Sequence, residues 1–152
     1  MKRVIIAKCI KTIAFASVLS IGLGAASVQA AEGFEAAHKV VIQVDSADVK
    51  EQNLALNNVA NLQKFYGPDN IKIEVVAYGP GLVMLTDKGG SKQRVRSLVQ
   101  QDIRFSACGN TMKGIKRKTG KEPTLTEGVT IVPAGLARII ELEEQGYSYI
   151  RP

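Results

Sequence analysis

The residues of this chain best suited to chemistry lie in one stretch, Arg104-Phe-Ser-Ala-Cys-Gly-Asn-Thr-Met112. It reads as a short apolar strand that breaks at a Cys-Gly step and continues into a helix. That geometry sets the Cys108 sulfur beside a helix N-terminus, where unpaired N–H groups and the positive end of the helix dipole favour an anion. A thiolate is such an anion, and lowering a thiol's pKa is what makes a cysteine nucleophilic. The backbone N–H groups of Gly109, Asn110 and Thr111 are the candidates to hold it. Lys113 and Arg117, in a basic run completed by Lys116 and Lys118, add positive potential. The same sequence also fits an unreactive thiol, because a free cysteine without activation behaves as a small buried hydrophobe.

Other chemistries have less to stand on. The chain has no P-loop, no G-x-G-x-x-G after its first strand and no G-x-S-x-G. Its single histidine, His38, precedes the first strand and reads as a surface residue. One histidine with one cysteine does not make a structural zinc site, so neither a metal nor a cofactor is expected. Cys108 and Met112, four apart, offer two soft ligands for Cu(I), although a methionine there equally suits the core. Asp45, at the end of the first strand, would serve either a proton transfer or the cap of the next helix.

Residues 1–30 stand apart from the fold. Lys2, Arg3, Lys8 and Lys11 are their only charges, an apolar stretch runs over 12–28, and Val28-Gln29-Ala30 resembles a cleavage site. This is the pattern of a secretory signal peptide, and the stretch is shorter than the roughly 20 apolar residues that span a bilayer. Export to the periplasm is therefore expected, with residues 31–152 as one mature domain of 122 residues and no membrane attachment after cleavage. Removing the leader's four cations from the total of 20 leaves 16 basic against 14 acidic residues, a net charge of +2. The pI near 9.4 thus belongs largely to the leader and gives no argument for nucleic acid. Cys9 leaves with it, so Cys108 has no intramolecular disulfide partner and is either a free thiol or an intermolecular link.

The elements that must position Cys108 alternate strand and helix. Strands are expected over 39–45, a continuous apolar run with β-branched residues, over 71–77, which alternates and then turns fully apolar, and over 103–106, 129–132 and 147–150. Helices are expected over 49–66, 91–101, 110–118 and from Pro133 to 145. Asp48 with Glu51 partly matches a capping box, and Gly67-Pro68 supplies a stop. Ala55, Val59, Leu62 and Tyr66 form one face of the first helix, with Asn53 and Asn57 on the other side. Leu136, Ile139, Ile140 and Leu142 are core candidates in the last helix. Residues 82–85 are apolar without a clear state, and 121–128 read as a polar loop.

Such alternation calls for a mainly parallel sheet covered by helices on both faces. Ligands in these folds sit beyond the carboxyl ends of the strands. Asp45-Ser46, Gly79-Pro80, Ser106 to Cys108 and Pro133 all fall there, and Ser46, Asn53, Gly79 and Pro80 join the candidate pocket.

With these residues placed, the chain resembles the DsrE/DsrF-like family, specifically its small exported members. The resemblance runs over about 38–152. It rests on the opening strand with Asp45, Leu54-Ala-Leu-Asn-Asn58, Val75-Val-Ala-Tyr-Gly-Pro-Gly81, Phe105-Ser-Ala-Cys-Gly-Asn-Thr111, residues 129–135 and Gly146-Tyr-Ser-Tyr-Ile-Arg-Pro152. It implies a three-layer flavodoxin-like fold with a five-stranded sheet, and assembly into trimers or hexamers. It also implies that the cysteine matching Cys108 carries sulfur as a persulfide between a donor and an acceptor protein. Two functions from different classes follow. One is a thiol-dependent sulfur carrier or sulfurtransferase-like protein. The other is a non-enzymatic oligomeric module that binds a small ligand or senses redox state, with Cys108 structural.

Overall fold

Each of the five apolar runs becomes a strand, and all five lie parallel. The computed structural model describes residues 36–152, so the expected signal peptide lies outside the described residues. In chain order the strands are β1 (His38–Val44), β2 (Ile71–Ala77), β3 (Arg104–Cys108), β4 (Thr130–Val132) and β5 (Ser148–Ile150). The helices are α1 (Val49–Tyr66), α2 (Lys92–Val99), α3 (Gly109–Thr119) and α4 (Gly135–Glu144). The sheet order is β4-β3-β2-β1-β5, a three-layer flavodoxin-like α/β fold whose strand order differs from the 2-1-3-4-5 of flavodoxin itself.

Local signals set the first half of the chain. Asp48 caps α1, its carboxylate accepting from the Lys50 N–H at 2.7 Å. The N–H of Asp48 is taken by Ser46 Oγ at 3.1 Å, in the place a capping-box glutamate would fill. Gly67, at φ 86°, ends the helix in a conformation only glycine adopts readily. Along β1 the alternate side chains Val40, Ile42 and Val44 enter the main core with Ala55, Leu56 and Val59 of α1, Val95 and Leu98 of α2, and Met112 of α3. Val41 points the other way and packs with Val76 under Ile139 and Leu142 of α4. Three helices therefore cover one face of the sheet, and α4 covers the other.

That asymmetry corrects part of the expected core. Leu136 and Ile140 are 58% and 57% exposed, while Ile139 and Leu142 are buried. A single helix lying on a sheet buries one narrow stripe, and positions 136 and 140 stand beside it. Several element bounds differ as well, and α4 starts at Gly135 rather than at Pro133. The α2 helix stops at Val99, and Asp102 takes a positive φ of 62° before β3. Strand β3 runs on through Cys108, which is thus its last residue rather than part of a turn. Residues Gly79–Leu85 form a 3₁₀ helix. It lies so close to β1 that a Cβ on Gly81 would stand 2.3 Å from the Val44 carbonyl oxygen. The 121–128 loop is stitched to the end of that helix, Thr126 N–H to Leu85 O at 2.8 Å and Asp87 N–H to Thr124 O at 3.0 Å.

Candidate functional site

Parallel pairing brings together groups that are distant in sequence. Cys108 lies opposite Val132 in the β3–β4 ladder. Just past these partners both chains turn into helices, α3 at Gly109 and α4 at Gly135. Two helix N-termini therefore meet at one sulfur. Their packing is tight: a Cβ on Gly109 would come within 3.1 Å of the Val132 oxygen. One on Gly135 would come within 3.3 Å of Cys108 Cβ and 3.2 Å of Tyr78 Cβ.

Cys108 is 6% exposed. Burial pushes its thiol pKa up, but hydrogen bonding by the Thr111 hydroxyl and by the N–H groups of Gly135, Thr111 and Asn110 outweighs burial and holds it below the ordinary thiol value. Hydrogen bonds to the charged form favour that form, and at helix N-termini the donors are already fixed in place. Thr111 is itself braced: its Oγ1 accepts from the Gly79 N–H at 2.9 Å. The neighbouring Tyr78 phenol moves the opposite way. Burial raises its pKa, and the Asp45 and Tyr149 charges add to that rise against the Arg151 guanidinium. Tyr78 therefore stays neutral beside the sulfur through the physiological range.

Of the residues singled out from sequence, Gly79, Gly109, Asn110 and Thr111 gather with Cys108. Pro80 adjoins Gly79 on the rim of a groove of about 520 Å³. Ser46 stays at the end of β1, where its Oγ accepts from Asp48 and its carbonyl accepts from Gln52 Nε2 at 3.0 Å. Asn53, Lys113 and Arg117 are exposed on α1 and α3. Met112 is buried in the main core, and Asp45 pairs with Arg151 at 3.1 Å. No cluster of three metal-binding side chains occurs among the described residues.

Sequence reading missed three things. Gly135 is one, and its only signal was the Pro133-Ala-Gly step at the end of a strand. The second is Glu74, 2% exposed in the middle of the sheet. Its carboxylate accepts from Arg138 Nε at 2.9 Å and Nη2 at 2.8 Å, and from Ser106 Oγ at 2.6 Å. Arg138 sits three residues beyond Gly135, so this bidentate pair pins the first turn of α4 to the sheet. The third is the chain end. Strand order reverses between β1 and β5, where doubly wound sheets open a crevice. Here Tyr149 Oη donates to Gln43 Oε1 at 2.6 Å and Arg151 holds Asp45, so the chain's own terminus fills that crevice.

A family model for the DsrE/DsrF-like family matches residues 38–152. Among solved structures, the protein of unknown function MTH1491 from Methanobacterium thermoautotrophicum is 34% identical, with a TM-score of 0.68 over 76% of this chain and 99% of that one. The ychN protein from E. coli is 17% identical, with a TM-score of 0.60 over 76% and 99% of the two chains, a likeness of fold. A search of curated proteins gives no match.

Proposed function

This chain belongs to the DsrE/DsrF-like family, which is related to sulfur-relay proteins, and on that premise we propose that it is an exported sulfur carrier whose Cys108 accepts sulfane sulfur as a persulfide. The observation that carries this reading is the convergence of two helix N-termini, with the Thr111 hydroxyl, on a single buried cysteine. The Cys108 thiolate attacks the outer sulfur of a donor persulfide, R–S–SH. A new S–S bond forms to Cys108, the donor's S–S bond breaks, and the electron pair leaves with R–S⁻. The step is a sulfur transfer with no net oxidation, so no cofactor is called for. The terminal sulfur is then passed to an acceptor thiolate by the same chemistry. Tyr78 keeps its proton and adds no negative charge against the anion.

Export rests on the basic and apolar leader of residues 1–30. Assembly into a trimer or hexamer is part of the proposal, supported by Leu136 and Ile140 exposed at i, i+4 on α4 and by Ile131 exposed on the edge strand β4. The second reading, an oligomeric binding or redox-sensing module with a structural cysteine, draws on the burial of Cys108. Incubation of the mature protein with inorganic polysulfide, followed by mass spectrometry of intact protein, separates the two. The sulfur-carrier reading requires an added sulfur atom on the native protein and none on Cys108→Ser. Equal uptake by that variant would overturn it.

A further inference from the structure

The Cys108 sulfur is met by N–H groups from two helices, and the two helices are anchored by different means. Asn110 and Thr111 belong to α3, which continues directly from β3, so the chain itself places them beside Cys108. The Gly135 N–H, a first-turn donor with no partner inside its helix, comes from α4. Its place at the sulfur depends on how α4 is set on the sheet. The buried apolar side chains of that helix, Ile139 and Leu142, pack with Val41 and Val76. Such packing is non-directional, so it holds α4 against the sheet without aiming its N-terminal N–H groups.

Glu74 supplies the direction. It is 2% exposed in β2 and lies on the α4 face, as Val76 and Tyr78 do at the alternate positions. Its Oε1 accepts from Arg138 Nε at 2.9 Å and its Oε2 from Nη2 at 2.8 Å, a planar fork that fixes angle as well as distance. Arg138 lies in the first turn of α4, its own N–H bonded to the Ala134 carbonyl at 3.0 Å. The same Oε1 accepts from Ser106 Oγ at 2.6 Å, and Ser106 precedes Cys108 by two positions on β3. One carboxylate therefore grips both arms of the site, the strand that carries the sulfur and the helix that carries the donor. A further tie, Asn110 N–H to Pro133 O at 3.2 Å, holds the entry to α4 from the α3 side. Arg104, 3.7 Å from Glu74, and Glu141, 3.3 Å from Arg138, are the other charges around the pair.

A buried ion pair is a poor device for stability alone, since apolar residues of similar volume often serve as well or better. What an apolar replacement does not reproduce is the geometry. Resting on the reading of Cys108 as a sulfur-accepting thiolate, we infer that Glu74 and Arg138 are positioning residues for that chemistry, holding the Gly135 N–H on the sulfur. The thiolate keeps its α4 donor only while the fork is intact.

The test is a pH–rate profile of Cys108 alkylation by a neutral reagent, with chemical denaturation of the same samples. Glu74→Gln with Arg138→Met removes the fork and both charges together and leaves Ser106 an acceptor. It is expected to raise the apparent thiol pKa by about one unit and to slow labelling at neutral pH about threefold to tenfold. Arg138→Lys keeps the charge pair without the two-pronged geometry, and is expected to shift the profile the same way by a smaller step. Leu56→Ala opens a cavity under α1 on the opposite face of the sheet. It is expected to lower the denaturation midpoint and to leave the profile where it is. A native profile in both Arg138 variants would overturn the positioning role, as would an equal shift in Leu56→Ala. Loading by inorganic polysulfide keeps the two readings apart. A native protein that loads, while the Arg138 variants keep its profile, leaves the sulfur-carrier reading standing without the positioning role. A native protein that neither loads nor titrates below about 8.5 overturns both.

Discussion

The Gly79 N–H is donated to Thr111 Oγ1 at 2.9 Å, which leaves the Thr111 hydroxyl proton free for the Cys108 sulfur, whose pKa that hydroxyl lowers. One hydroxyl thus links the start of the 3₁₀ helix, the start of α3 and the thiol.

Thr111→Val keeps the volume and removes that donor. It is expected to raise the Cys108 pKa toward the ordinary thiol value and to slow alkylation at neutral pH roughly threefold to tenfold. Thr111→Ser, which keeps the hydroxyl, is expected to stay near the native rate. Stopped-flow labelling with a neutral alkylating agent reads both.

The Glu74–Arg138 pair holds α4, whose first N–H group faces the sulfur. Burial raises the Glu74 pKa, but the Arg138 and Ser106 hydrogen bonds, with the Arg138 and Arg104 charges, lower it further than burial raises it. A depressed folded-state pKa means that Glu74 stabilises the fold above the ordinary glutamate range, about 4.3. That stability is lost as pH falls through the lower folded value. Denaturant midpoints are expected to be level from neutral pH to about pH 5 and to fall below it. The fall should be shallower in the double variant Glu74→Gln, Arg138→Met. Arg138→Met alone leaves the buried carboxylate with Ser106 and the more distant Arg104, and is expected to cost about 3 kcal/mol.

Gly81 tests the seat of the 3₁₀ helix. Backbone atoms of Val44 and Asp45 stand 2.3 to 2.9 Å from a Cβ placed there, so Gly81→Ala forces the segment away from β1. A loss of about 2 kcal/mol or more is expected in chemical denaturation. Gly90→Ala, with nothing within 4 Å of its Cβ, is expected to change stability by less than about 0.5 kcal/mol.

If Leu136 and Ile140 lie in a subunit contact, Leu136→Asp with Ile140→Asp is expected to dissociate the assembly without unfolding the chain, because neither side chain is in the core. Analytical ultracentrifugation reads the outcome. A native protein that already sediments as a monomer would remove the oligomer from the proposal.

The parts of the fold legible from sequence are those with short-range causes. Asp48 and the Gly67-Pro68 stop delimit α1 at Val49–Tyr66, and alternating apolar residues mark β2 at Ile71–Ala77. The strand–helix alternation likewise implied the parallel sheet, and the Cys-Gly step implied a helix starting at the thiol. What stayed hidden depends on distant pairing. Gly135 meets Cys108 only because β4 lies beside β3 with Val132 opposite Cys108. Glu74 looks like an outward residue of an amphipathic strand until Arg138, 64 positions away, is laid over it. Leu136 and Ile140 mislead for a related reason, since periodicity shows an apolar stripe but not how much of it a single covering helix buries.

The most direct measurement is the pH dependence of Cys108 alkylation in the mature protein, with Cys108→Ser as the blank. The proposed activation requires an apparent pKa below the value of about 8.5 for an ordinary thiol, with labelling already fast at neutral pH. An apparent pKa at or above that value, with slow labelling, would contradict it and return Cys108 to a structural role.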